Sequence, residues 1–446
     1  MTGPQPDAAA GTPRVRLVVV NYEGGDMTLR CLASLAGLHW PPERMDIVLV
    51  DNASTDGVAD RVECSHPGVR VVRNPRNLGF TGGCNAGFRD LEGVAYVGIV
   101  NNDAVVEPSW LRSLVQAMEA DSRMGAVNGK VVFMPRFCPV DLAGIETFVP
   151  GKGDARTLGV RLSGVEVNGV DGWAGAVYGT GFWPHEQGPE PEPRFRWTAG
   201  AARLWVPAER DGAPPASARL RLAGPVPRRV TLNGVEVDIG VEPTWVDVAL
   251  GGPWTDLLNS TGGMLLPSMH GADRSFEQPD DGSHDQPSEI FGWTGAAVLL
   301  RSSYLADVGL FDERFFMYYE DFDLSLRGRA KGWRYGYVPE AVVRHVHSAS
   351  SGATSAFVLH HLERNRLLAL TRSAPLPVVA RVLGEFAATT VSASVRELAR
   401  SVRAGNGIST RVARQRLGVV REYARRAPGV VRSRWTTRRS GASPHR

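Results

Sequence analysis

The chain has 446 residues, 43% hydrophobic and 22% charged, which fits a soluble protein of two to three domains with a sizeable core. Its net charge of +3 hides an asymmetry. Sixteen arginines and three glutamates between Thr371 and Arg446 give that stretch +13 and leave the preceding residues at about −10. Four scattered cysteines (Cys31, Cys64, Cys84, Cys138) without metal-type spacing argue against a secreted disulfide scaffold and favour a reducing cytoplasm. Met1 to Pro13 lacks the features of a signal peptide, and no stretch reaches about 18 uninterrupted apolar residues, so no spanning helix is expected.

In chain order, Arg14–Asn21 carries a continuous β-branched run, the pattern of a strand buried on both faces. Gly24-Gly25-Asp26 then opens a helix whose Leu29, Leu32 and Leu35 share one face. A second buried strand, Asp46–Val50, delivers Asp51-Asn52-Ala53-Ser54-Thr55-Asp56-Gly57 at its carboxyl end. A third, Val69–Arg73, ends in Asn74, and a fourth, Val94–Val100, ends in Asn101-Asn102-Asp103. Strands alternating with helices predict a mostly parallel sheet, whose ligands bind beyond the carboxyl ends of the strands. Asn and Asp are routine turn formers, but short polar side chains after several successive strands favour one shared site. Between strands three and four, Asn77–Gly87 holds four glycines (Gly79, Gly82, Gly83, Gly87), which permit close backbone approach. The helix they open would offer N–H groups to an anion.

From about Val170 to Gly262 the text becomes rich in Pro and Gly, with short alternating strands at Ala218–Leu222 and Thr244–Val248. Asn233-Gly234 marks a two-residue hairpin turn. This predicts a small antiparallel β-sandwich inserted in a surface loop. Six of the 11 tryptophans lie between Asp171 and Trp254; they suit either a small core or a glycan-recognising surface, with the core favoured.

Further on, Phe291–Arg301 gives a small-residue turn leading into a buried strand, with Trp293 available to fill a core or stack on a sugar. Phe315–Leu324 then packs Glu320, Asp321 and Asp323 behind a run of aromatics at a helix start. Acidic residues favour the first turn of any helix, yet carboxylates roofed by apolar rings are also where a general base can be tuned. Val338–His345 is a strand ending in histidine, with His347 as a competitor and Ser348–Gly352 as a small, flexible segment. His361, Arg364, Asn365 and Arg366 fall on the next helix, as phosphate or acceptor contacts or as a solvated face. Beyond Leu370, arginine-rich amphipathic helices interrupted by Pro375, Pro377, Gly405, Gly407 and Pro428 suit an anionic membrane surface, and no nucleic-acid motif accompanies the charge.

The runs Val-Val-Asn-Tyr, Val-Asp-Asn-Ala-Ser-Thr-Asp-Gly, Asn-Leu-Gly-Phe-Thr-Gly-Gly-Cys-Asn-Ala-Gly, Asn-Asn-Asp and Glu-Asp-Phe-Asp, in that order, resemble family 2 of the inverting glycosyltransferases, which has the GT-A fold. The flavour is that of the rhamnosyl- and galactofuranosyl-transferase-like branch, over Arg14–Val140 and Gly263–Leu370. The resemblance implies an α/β chain with a GT-A catalytic domain in two parts (14–169, nucleotide-binding; 263–370, acceptor and catalytic), the β-rich insert at 170–262 and a basic helical tail at 371–446. It implies that Asp51 holds the base of a nucleotide-diphosphate sugar, with Asn21, Asn52, Asp56, Asn77, Gly79, Gly82, Asn85, Asn101 and Asn102 shaping that site. Asp103 would ligate a divalent cation, Mg²⁺ or Mn²⁺, with His345 completing the site; Asn101 departs from the family's first aspartate. Asp321 would be the general base, Glu320 would orient base or acceptor, and Asp323 would cap the helix. Trp293 and Arg364 would meet a glycan or lipid-linked saccharide acceptor. L-rhamnose from dTDP is the first implied donor and UDP-galactofuranose the second, with the enzyme peripheral to the inner face of the plasma membrane. A non-catalytic glycan-binding scaffold is the alternative. A sugar-nucleotide pyrophosphorylase would want a basic Gly-rich loop after the first strand, which Asn21–Gly25 lacks.

Overall fold

A computed structural model of the chain describes residues 11–151, 153–187, 194–207, 217–251, 254–346, 355–403 and 410–439. It forms two compact units: Met1–Val132 with Asn259–Phe276 and Gly282–Arg446, and Phe133–Leu258 with Glu277–Asp281.

In the first unit, strands β1 (Val15–Asn21), β2 (Met45–Asp51), β3 (Val69–Arg73) and β4 (Tyr96–Val100) are parallel in the spatial order 3-2-1-4. Helices α1 (Gly25–Ala36), α2 (Val58–Ser65) and α3 (Gly79–Gly87) connect them. Antiparallel strands continue the sheet: Ala297–Arg301 lies between β4 and β6 (Met124–Phe133). The β-branched runs follow from burial on both faces. Val15, Leu17 and Val19 enter one core with Leu32 and Leu35 of α1 and Leu111 and Leu114 of α4 (Trp110–Ala120). Val18 enters the other with Cys84 and Ala86 of α3 and Tyr304 of α5 (Ser302–Val308). Each such side chain contributes about 1.5–3 kcal/mol by leaving water.

The glycines of α3 allow that helix to lie flush on the sheet. A Cβ on Gly83 would sit 2.6 Å from Val20 Cγ1, and one on Gly87 would sit 2.5 Å from Val18 Cγ1. The strand Arg334–His345 pairs antiparallel with β5 (Ala104–Val106), setting His345 opposite Ala104. Helices α6 (Glu320–Arg329), α7 (Ala356–Ser373), α8 (Leu376–Arg403) and α9 (Arg411–Arg439) complete the unit, with Leu367, Leu370, Val379, Val382, Phe386 and Val419 in a shared core. The chain has no uninterrupted apolar run of about 18 residues, yet Leu376–Ala399 contains an 18-residue window of mean hydropathy 1.3 and is long and apolar enough to cross a membrane by length and composition. His347 and Ser348–Gly352 lie outside the described residues.

The second unit is an antiparallel sandwich. One sheet includes Phe137–Ala143, Ala202–Pro207 and Arg228–Leu232; the other includes Arg161–Val167, Ser217–Ala223 and Thr244–Ala249. Val140, Leu142, Leu162, Leu220 and Val230 fill the space between them. The unit begins well before residue 170, where composition shifts, because Phe137–Ala143 and Arg161–Val167 already pair into its sheets. Asn233 (φ 47°) and Gly234 (φ 83°) form the expected two-residue turn. Each of the six tryptophans has an arginine guanidinium within about 6 Å of its ring: Arg194 on Trp173, Arg156 on Trp183, Arg161 on Trp197, Arg203 on Trp205, Arg219 on Trp245 and Arg136 on Trp254.

Candidate active site

The carboxyl ends of β1 and β2 carry a closed polar network. Asn21 Oδ1 accepts from Thr28 Oγ1 (2.8 Å), Gly24 N–H (3.2 Å) and Asn102 Nδ2 (3.3 Å). Asn21 Nδ2 donates to Asp51 Oδ1 (3.5 Å) and to Asp56 Oδ2 (3.3 Å). Burial pushes the Asp51 carboxyl up from its ordinary value. For Asp56, burial also pushes upward, but bonds from Gly25 N–H, Val58 N–H and side chains outweigh it and hold the carboxyl below its ordinary value.

Asn52 is 1% exposed and acts as a staple. Its Nδ2 donates to Asn77 Oδ1 (3.1 Å) and Gly79 O (2.9 Å), while Oδ1 accepts from Asn74 Nδ2 and Leu78 N–H. The Gly-rich turn is equally committed. Gly79 N–H donates to Asn77 Oδ1, and Thr81 N–H donates to Phe316 O (3.1 Å). The helix start that the sequence offers to an anion thus has these N–H groups engaged by the protein itself. Gly79 has φ +72°, and a Cβ there would meet Phe316 O at 2.3 Å; Gly82 abuts Leu78. Asn85 bonds Phe311 and Glu313.

A cavity of about 300 Å³ lies elsewhere in the same unit. Asn101, Asp273, Trp293, Glu320, Asp321 and His345 contribute to its wall. Chain topology explains the convergence. Asn101 N–H donates to Ala296 O (2.9 Å), and the adjacent Gly295 N–H donates to Asp321 Oδ2 (3.1 Å). Asp321 Oδ1 accepts from Phe322 N–H (2.7 Å). Burial first, and then the charge of Asp273, push the Asp321 carboxyl up to about 6 despite these two bonds. Glu320 is 7% exposed, its Oε2 has no hydrogen-bond partner among the described residues, and burial beside Asp321 pushes it well above the ordinary range. Burial also raises Asp273, which bonds Ser260.

His345 meets the Asn-Asn-Asp turn through its pairing with β5. Its Nε2 is 3.1 Å from Asp103 Oδ1 and 3.3 Å from Asn101 Nδ2, while Nδ1 is 2.9 Å from Asn259 Oδ1. With Asn259 accepting from Nδ1–H, the Nε2 lone pair is directed at Asp103 and Asn101. One carboxylate and one imidazole aimed at the same point fit a divalent cation that draws its other ligands from phosphate and water. Among the described residues no group of three His, Cys, Asp or Glu side chains comes together, so the protein alone would hold such an ion loosely.

Asp321, in the first turn of α6, follows a strained loop. Phe316, Tyr318 and Tyr319 all have φ near +67°, a costly conformation for bulky residues. Asn365 supports it: its Nδ2 lies within hydrogen-bond distance of Phe315 O (3.0 Å), Met317 O (2.8 Å) and Tyr318 O (2.7 Å). Arg364 is 1% exposed; it donates to Phe315 O (2.8 Å) and pairs with Glu422 of α9 (2.7 Å). It does not line the cavity, so the structure assigns it to loop support where the sequence suggested acceptor contact. Trp293 lines the cavity but is 1% exposed and packs against Phe311, as a core residue does. Asp323 does not cap its helix; it bridges Arg327 and Arg372 in a buried ion-pair network. Asp273 and Asn259 carry no short motif that would place them at this site; Asn365, read from the sequence as a phosphate or acceptor contact, holds the loop instead.

The raised Asp321 carboxyl thus lines the same cavity as His345, which pairs with Asp103. The chain belongs to glycosyl transferase family 2, whose model matches residues 17–134; the model described as glycosyl transferase family group 2 matches residues 271–367. It is 26% identical over 348 residues to an N-acetylglucosaminyl-diphospho-decaprenol L-rhamnosyltransferase of Mycobacterium tuberculosis, covering 77% of this chain and 80% of the relative. Among solved structures, GalNAc-T7 with UDP, GalNAc and Mn²⁺ is 13% identical with a TM-score of 0.45, over 81% of this chain and 48% of that one. S. aureus TarS 1–349 is 12% identical with a TM-score of 0.41, over 94% and 82%.

Proposed function

We propose that the chain transfers a sugar from a nucleotide-diphosphate donor, in first place L-rhamnose from dTDP-rhamnose, onto a polyprenyl-diphosphate-linked saccharide at a membrane surface, with Asp321 as general base. The observation that carries this is the placement of Asp321, raised to about 6, in one cavity with Asn101 and His345. The 26% identity to the mycobacterial rhamnosyltransferase supports donor and acceptor.

In this mechanism Asp321 takes the proton of the acceptor hydroxyl. The oxygen attacks the anomeric carbon from the face opposite the diphosphate. The bond from that carbon to the diphosphate oxygen breaks, and the nucleoside diphosphate leaves with its electron pair, inverting the centre. Gly295 and Phe322 N–H hold the Asp321 carboxylate in place. Burial raises both Glu320 and Asp321, and Asp321, held by two N–H bonds, is the better placed of the two to ionise. Asp103 and His345 would hold a divalent cation, Mg²⁺ or Mn²⁺, whose charge stabilises the departing diphosphate. Asn21, Asp51 and Asp56 would bound the nucleotide side.

Incubating the protein with dTDP-rhamnose and a short-chain polyprenyl-diphosphate N-acetylglucosamine should yield a product of inverted anomeric configuration by NMR. Turnover with UDP-galactofuranose instead would favour the second donor. Asn101 in place of a family aspartate favours the non-catalytic alternative, and absence of transfer with every donor, with or without Mn²⁺, would establish it.

A further inference from the structure

Helix α8 has two apolar faces, and among the described residues only one is packed into a core. Val379, Val382 and Phe386 point into the core shared with α7 and α9. On another side of the helix, Leu376 (62% exposed), Val391 (64%), Val395 (59%), Leu398 (44%) and Val402 (66%) face solvent. The last four are spaced four, three and four positions apart, which aligns them in one stripe. Ala380, Ala387 and Ala388 extend it, and exposed Arg381 and Arg396 border it.

Helix α9 repeats the arrangement. It runs antiparallel along α8: Val412 N–H donates to Glu397 (3.0 Å) and Arg416 to Thr389 (3.2 Å). Val419 and Val430 are buried, while Leu417 (60%), Val420 (43%) and Val431 (38%) are exposed. Arg414, Arg421, Arg425 and Arg432 are exposed along the adjoining side. Both helices thus expose an apolar stripe with arginine beside it.

We infer that the outer faces of α8 and α9 form an interfacial docking surface for an anionic lipid bilayer. The apolar stripes enter the boundary between headgroups and acyl chains, and the bordering arginines bind lipid phosphates. Charge complementarity selects this occupant. The +13 of Thr371–Arg446 contrasts with about −10 for the rest of the chain, so an anionic sheet attracts this end and repels the other. The helices lie in the plane of the membrane. Spanning would strip Val379, Val382 and Phe386 from their core and carry Arg381, Glu385 and Arg396 into hydrocarbon. This surface deepens the proposed action on a lipid-linked acceptor, but its test reads binding without transfer, so the two fail separately.

Full-length protein is sedimented with vesicles of phosphatidylglycerol and phosphatidylcholine, and with vesicles of phosphatidylcholine alone. The expected result is binding to the anionic vesicles, reversed by high salt, and weakened about tenfold or more by V391S/V395S and by R421E/R425E. Circular dichroism of both variants should match wild type, since all four side chains are exposed. Four results would overturn the inference: no binding to anionic vesicles; unchanged binding by both variants; a dimer in solution that V391S/V395S dissociates, which would make the stripe a contact between copies; or attachment in cells that only detergent releases, which would make α8 a spanning helix.

Discussion

Two carboxylates in the catalytic unit receive similar backbone bonds and end in opposite states. Asp56 accepts from Gly25 and Val58 N–H, Asp321 from Gly295 and Phe322 N–H. Asp56 also has Asn21 as a donor and lies below its ordinary value. Asp321 faces a cavity with Asp273 and Glu320 around it and lies near 6. Two N–H bonds do not by themselves keep a carboxylate acidic; dehydration and neighbouring negative charge can outweigh them. Asp56 is held ionised by its donors, and the cavity around Asp321 favours proton exchange.

The largest expected effect that tests this contrast is at Asp321. Asp321→Asn should lower transfer by on the order of 10²–10⁴-fold, while a thermal-shift titration with nucleotide sugar remains close to wild type. It should also raise Tm at neutral pH. A carboxyl raised in the fold stabilises it below the unfolded value near 3.8 and loses that contribution as pH rises through about 6, and the amide escapes the loss.

Next in size is Asn365→Ala, which leaves the carbonyls of Phe315, Met317 and Tyr318 without this donor and should cost about 2–4 kcal/mol in urea unfolding. Because the loop positions Asp321, kcat should fall more than KM rises. Gly79→Ala puts a Cβ against Phe316 O at positive φ and should cost about 1–3 kcal/mol by the same assay.

The smallest effect sharpens the comparison through its sign. Asp56→Asn should lower Tm at neutral pH. A carboxyl depressed in the fold contributes stability above the unfolded value near 3.8, and that contribution disappears as pH falls through the folded value. Opposite Tm shifts for the two Asp→Asn changes at one pH would bear out the contrast.

Much of the scaffold was legible because burial on both faces writes itself as unbroken β-branched runs, as in β1 and β2. The strand-end Asn and Asp residues were legible for the same reason: they follow those runs. What the sequence hid depends on contacts between distant positions. Arg364 and Asn365 look like an exposed polar pair until Phe315 O and Glu422, 49 and 58 positions away, are seen to bind the guanidinium. The Gly-rich turn offered its helix start to an anion, and Phe316 O, 235 positions on, occupies Thr81. Counting uninterrupted apolar residues missed the exposed stripe of α8 because its charges lie on another side of the helix.

Exchangeability of one proton at residue 321 is the central claim, and the pH dependence of kcat/KM measures it most directly. Wild-type rate should climb with pH, bend near pH 6 and level off above it. A rate insensitive to pH across that range, or an Asp321→Asn protein that retains the same climb, would contradict the account.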